Sequence, residues 1–127
     1  MSGILLVGVG SLISGVLRYG LSTWVHRFLD NPWFPYGTLA VNALGCLVIG
    51  FLAGLAESRV AFTSEVRLFL FVGILGGFTT FSSFALETFS LARDTQTVAA
   101  LTNIGLQLVL CLLAVWIGNI LAHAMGG

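Results

Sequence analysis

The chain has no lysine, and its charge is limited to five arginines and five acidic residues, which cancel. Charged residues make up 8% of the sequence, against about 25% in a soluble domain. An aqueous surface cannot be built from so little charge. With zero net charge and no basic run, nothing points to a nucleic-acid partner. The two cysteines, Cys46 and Cys111, fall inside apolar runs and read as small core residues rather than as a disulfide or a metal pair. No nucleophile–base pair, metal cluster or phosphate-binding loop appears, which excludes the common enzyme chemistries. The start, Met1-Ser2-Gly3, lacks the positive stretch of a cleaved leader, so the first apolar run is expected to stay as a helix.

What the sequence has is hydrophobic length. Apolar residues reach 57% and the mean hydropathy is +1.04. A bilayer crossing takes about 20 predominantly apolar residues. Four stretches qualify: Ile4 to about Phe28, Tyr36 to Ala56, Val66 to Phe89, and Val98 to Ala124. The expected fold is therefore an all-α membrane protein of four transmembrane helices, a single unit over residues 1–127. Short connections are expected at 29–35, 57–65 and 90–97, the first carrying both prolines, Pro32 and Pro35. Trp24, Trp33 and Tyr36 cluster there, as an interfacial aromatic belt would. Arg18 lies within the first span and needs a partner in the bundle or a route to the surface.

Four spans put both termini on one side. Arg59 and Arg67 then flank that side, and Arg27 and Arg93 flank the other, so the positive-inside rule selects no orientation. Copies inserted both ways up could pair antiparallel about a twofold axis in the membrane plane. Gly50 with Gly54, and Gly73 with Gly77, have the spacing that permits close helix contact, within one subunit or between two. Gly37, Gly45, Gly105 and Gly118 add further positions of close approach.

The third span carries the least ordinary sequence, Gly76-Gly77-Phe78-Thr79-Thr80-Phe81-Ser82-Ser83-Phe84. Paired glycines and paired β-branched threonines both disfavour a continuous helix. Backbone freed at membrane depth is tolerated only where protein or a polar pathway receives it. A broken third helix is expected, lining something polar. Phe81 and Phe84 share a face beside Ser82 and Ser83, and ring edges with hydroxyls could meet an anion without fixed charge. Packing of the two rings against lipid or core is the plainer alternative. The carbonyls of Gly76 and Thr79 would suit a hard cation, two oxygens from each copy at a twofold axis.

Polar residues elsewhere could complete such a lining. Asn42 stands in apolar company in the second span, with Thr38 one turn earlier, and reads equally as a pathway residue or an interhelical hydrogen bond. Asn103, Gln107 and Cys111 recur every four residues in the fourth span, a stripe that could line a path or knit helices.

At these residues the chain resembles the CrcB or Fluc family of small fluoride channels. The likeness runs the whole length, through Gly15-Val16-Leu17-Arg18-Tyr19, Pro35-Tyr36-Gly37-Thr38-Leu39-Ala40-Val41-Asn42, Gly45, Gly50 and the run from Gly73 to Glu87. The resemblance implies an antiparallel dual-topology homodimer in the bacterial inner membrane, with two pores and a central sodium ion. It implies that Asn42, Phe81 and Phe84 lie along a fluoride pathway with Ser82 or Ser83 beside them. It also implies that Gly76 and Thr79 hold the sodium ion through their carbonyls. Family members often carry tyrosine and serine where Asn103 and Gln107 stand here, a departure in the fourth span. The implied activity is passive fluoride efflux that protects the cell. The alternative, a proton-coupled small multidrug exporter, would need a glutamate in the first helix, and no acidic residue precedes Asp30.

Overall fold

The computed structural model describes residues 2–30, 33–58 and 62–126. All of its regular structure is helical: α1 (Ser2–Phe28), α2 (Tyr36–Ser58), α3 (residues 64–78), α4 (Phe81–Arg93) and α5 (Thr97–Gly126). Four stretches are long and apolar enough to cross a membrane, the third being Ser64–Arg93, which combines α3 and α4. The protein is a multi-pass membrane protein. Large apolar side chains such as Leu12, Leu112 and Trp116 point outward, because lipid rather than water is the surrounding solvent.

Two corrections concern boundaries. The third span does not stop at Phe89 but continues to Arg93, leaving a connection of only residues 94–96. A chain reversal that tight is made by backbone hydrogen bonds. Gln96 N–H bonds back to the Leu91 carbonyl at 2.8 Å, and Thr95 N–H to that of Ala92 at 3.2 Å. Thr95 sits at φ 61°, in the left-handed region usually left to glycine. The second concerns the glycine pair. Gly76 and Gly77 are helical; the extended residues are Thr79, with φ −82° and ψ 156°, and Thr80, with φ −146° and ψ 119°. The absent side chain at Gly77 serves packing instead, for a Cβ there would collide with the Ser14 hydroxyl on α1.

Part of α3, Leu68–Leu75, is wound as a π-helix, a rare form that occurs mostly as short bulges near functional sites. No sequence signal announced it. Over this stretch the Gly73 carbonyl accepts from Ser11 and Ser14 hydroxyls, each at 3.4 Å, and the Gly76 N–H bonds five residues back to Phe71. Gly10 and Gly73 face each other so closely that a Cβ on either would press on the other's backbone.

The other tight seam joins α2 to α5. A Cβ at Gly50 would overlap the Val115 carbonyl, one at Gly118 the Leu47 carbonyl, and one at Gly54 would crowd Ala122 and Asn119. Positions on the two helices rise together, so α2 and α5 are parallel. The spaced glycines are thus used within the subunit. Gly105 is the exception, with nothing within 4 Å of its would-be Cβ. Gly37 and Gly45 do make close approaches, to His26 and Ser22 on α1 and to Thr79 respectively. Arg27 and Arg93 end α1 and α4, while Arg67 lies at the other end of the bundle near the start of the third span. Arg59 lies outside the described residues.

Candidate functional site

The site is built around the two extended threonines. An extended pair inside a span leaves backbone groups with no helical partner, and in lipid each one would be costly. Asn42 on α2 supplies both partners for Thr80: its Oδ1 accepts the Thr80 N–H at 2.8 Å, and its Nδ2 donates to the Thr80 carbonyl at 3.0 Å. Thr80 then caps the next helix, its hydroxyl accepting the Ser83 N–H at 3.2 Å. On the other flank, Thr79 N–H and hydroxyl both reach the Leu75 carbonyl at 3.2 Å. Arg18 Nε donates to the Gly77 carbonyl at 3.3 Å. A cation at the C-terminal end of α3 is electrostatically favourable there, and Arg18 thereby finds its partner inside the bundle.

These bonds orient a chain of amides. Because Asn42 Oδ1 must accept from Thr80, its Nδ2 carries the donors, and the second hydrogen goes to Gln107 Oε1 at 3.1 Å. Gln107 therefore turns its Nε2 away, and among the described residues that buried donor has no partner. Asn103, with 0% exposure, is fixed by a similar argument. Thr88 commits its hydroxyl hydrogen to the Phe84 carbonyl at 2.8 Å, so it can only accept from Asn103 Nδ2, at 2.9 Å. That leaves Asn103 Oδ1 unpartnered among the described residues.

Two cavities meet at Thr80. One, of about 360 Å³, is lined by Asn42, Gln107, Phe81, Phe84, Gly76 and Thr79, among others. The second, of about 290 Å³, is lined by Thr38, Ser83, Glu87 and Arg18. Thr38 donates to Glu87 Oε2 at 3.0 Å, while Glu87 Oε1 is buried without a partner among the described residues. Phe81 and Phe84 stack at a tilt, centroids 5.4 Å apart, and Phe81 is 78% exposed on the subunit's surface. Ser82 lies outside both cavities with its hydroxyl 3.3 Å from that of Thr80. Asn103 also lines neither.

The structure thus gathers Asn42, Gln107, Phe81, Phe84, Gly76 and Thr79 around one space and sets Thr38 and Ser83 around the other. Asn42 differs from a freely donating lining residue, since both its amide hydrogens are engaged. Among the described residues, no side-chain hydrogen bond and no backbone hydrogen bond from outside the helices reaches the carbonyls of Gly76 and Thr79. Three contributors had not been singled out as site residues from sequence. Thr80 and Thr88 act through hydrogen bonds to distant helices, and Glu87 is placed by Thr38, 49 positions away.

A model of the family described as CrcB-like protein, Camphor Resistance (CrcB), matches residues 5–119. The chain belongs to the CrcB family. It is 42% identical over 125 residues to a Rhizobium meliloti protein named Fluoride-specific ion channel FluC, with 98% of this chain and 99% of that one covered. A protein of the same name from Paramagnetospirillum magneticum is 47% identical over 119 residues, covering 92% of each. Another from Chloroflexus aurantiacus is 42% identical across the full length of both chains. The CrcB relatives are thus named as channels, a class that binds and passes ions without transforming them.

Proposed function

We propose that this chain is a subunit of a passive, fluoride-selective channel in the bacterial inner membrane, and that its role is to let fluoride out of the cell. Family membership and the relatives' names support the ion. The observation that carries the mechanism is the unpartnered Gln107 Nε2 on the wall of the 360 Å³ cavity. Fluoride holds its water tightly, so a pore must replace that water with donors while avoiding fixed charge that would trap the ion. Gln107 offers such a donor, and Asn42 acts by orienting it. The ring edges of Phe81 and Phe84 and the N-terminal end of α4, with Ser82 and Ser83 in its first turn, add positive potential nearby. Thr38, Ser83 and Glu87 form a second polar station across Thr80. Asn103 stands behind the path as a support for Thr88.

The broken third span is, in this reading, the feature that brings a helix N-terminus to membrane depth. Two antiparallel copies would place the exposed Phe81 faces against a partner rather than lipid. The carbonyls of Gly76 and Thr79 are oxygen ligands of the kind a hard cation takes, and they would hold a sodium ion where two copies meet. That ion would add positive potential for the anion and would bind only the assembled dimer.

The deciding experiment is fluoride efflux from liposomes holding the purified protein, read with a fluoride electrode. Rapid fluoride release with no chloride release is expected, and absence of fluoride release would refute the channel. Tags on the C-terminus should appear on both faces of the membrane. A single orientation in every copy would remove the antiparallel dimer.

A further inference from the structure

Beyond the anion path, the α2–α5 seam has a second pairing. Asn42 meets Gln107, Gly50 meets Val115 and Gly54 meets Asn119, each pair separated by 65 positions on parallel helices. The same offset sets Cys46 opposite Cys111. Each lies one helical turn beyond the bonded amides, on the same face as its amide. Both thiols line the 360 Å³ cavity, and both are half-buried and not joined in a disulfide. They are also close enough to interact with each other.

We propose that Cys46 and Cys111 form a two-coordinate thiolate site for a soft metal ion, which would bolt α2 to α5. Two sulfurs and no nearby third ligand are the donor set that mercuric ion accepts in linear coordination; zinc demands four ligands. No group of three or more His, Cys, Asp or Glu residues is placed to hold a metal among the described residues. The charge balance also favours a divalent ion. Hg2+ with two thiols gives a neutral bis-thiolate and releases two protons to water, with no change of oxidation state. A neutral product suits a low-dielectric span. The bound ion would fill the cavity beside Gln107, and this one consequence rests on the channel reading above.

The test uses the full-length protein in detergent, mercuric chloride as probe, zinc chloride as comparison, and maleimide labelling to count free thiols. One equivalent of Hg2+ per chain should remove both reactive thiols, whereas Zn2+ should leave both. In Cys46→Ser and in Cys111→Ser, each Hg2+ should take one thiol. A small competing thiol should then strip the metal about a hundredfold more readily, because the chelate is lost. One thiol still labelled in the wild type at one equivalent would overturn the site. So would two thiols consumed per ion in either variant, which would place the bridge between copies, and so would equal protection by Zn2+. Should a serine variant misfold, Cys46→Ala and Cys111→Ala, counted in the same way, still separate a bridge within one chain from one between copies. Mercuric ion should also stop fluoride efflux. Correct thiol stoichiometry with unchanged efflux would support the metal site and overturn the cavity's place in the pathway.

Discussion

The α2–α5 seam has two halves built by opposite means. Toward the start of both helices the contacts are polar, Asn42 to Gln107 and Cys46 beside Cys111, around an open cavity. Toward their ends the contacts are Gly50, Gly54 and Gly118 pressed on the partner's backbone, with no room for a methyl group. One parallel register serves both. The tight half fixes the rotation and height of the helices, and the polar half inherits that alignment. In lipid there is little hydrophobic drive to pack one helix on another. Close backbone approach therefore holds the seam, and amides placed upon it are free to serve a ligand.

The comparison predicts that the tight half is structural and the polar half functional. Gly50→Val should have the largest effect, because the new side chain must displace the Val115 carbonyl. Overpacking of about 3 kcal/mol or more is expected, read as loss of a monodisperse peak on size exclusion. Wild-type behaviour there would break the contrast between the halves. Asn42→Ala comes next, since it strips both partners from Thr80 and lets Gln107 turn. Two backbone groups left unbonded cost about 2–6 kcal/mol in sum, so the melting temperature and fluoride efflux should fall together.

Gln107→Leu sharpens the contrast. It keeps bulk but removes both the free donor and the Oε1 that accepts from Asn42, so efflux should slow by about ten- to a hundredfold while the melting temperature falls by less than in Asn42→Ala. Equal loss of both would reassign Gln107 to packing. The smallest effect is expected at Thr95, exposed and remote from either half. Thr95→Gly relieves a left-handed threonine and should stabilise the fold by about 1 kcal/mol, seen as a higher melting temperature with unchanged efflux.

The four spans were legible because their length and apolarity are local properties that lipid selects directly. The stripe of Asn103, Gln107 and Cys111 was legible too, since a four-residue recurrence fixes a helix face. Its mate, Thr38, Asn42 and Cys46, has the same spacing, yet nothing in the sequence gives the offset of 65 that aligns the two. The extended threonines of the third span illustrate the same division. Glycines and threonines marked the neighbourhood, but which pair leaves the helix depended on where bonding partners lay. Asn42 reaches Thr80 from 38 positions away, while Gly77 is held helical against α1.

Sequence by itself determined that this chain lives in a membrane as four spans, with an irregular, hydroxyl-rich segment in the third. Tertiary structure alone decided that Thr80 is the bracketed residue, that Asn42 orients rather than donates freely, and that Gln107 presents the open donor. The physical reason is that an amide's orientation is set by what its other end must satisfy. Those obligations come from backbone groups brought near only when the helices pack.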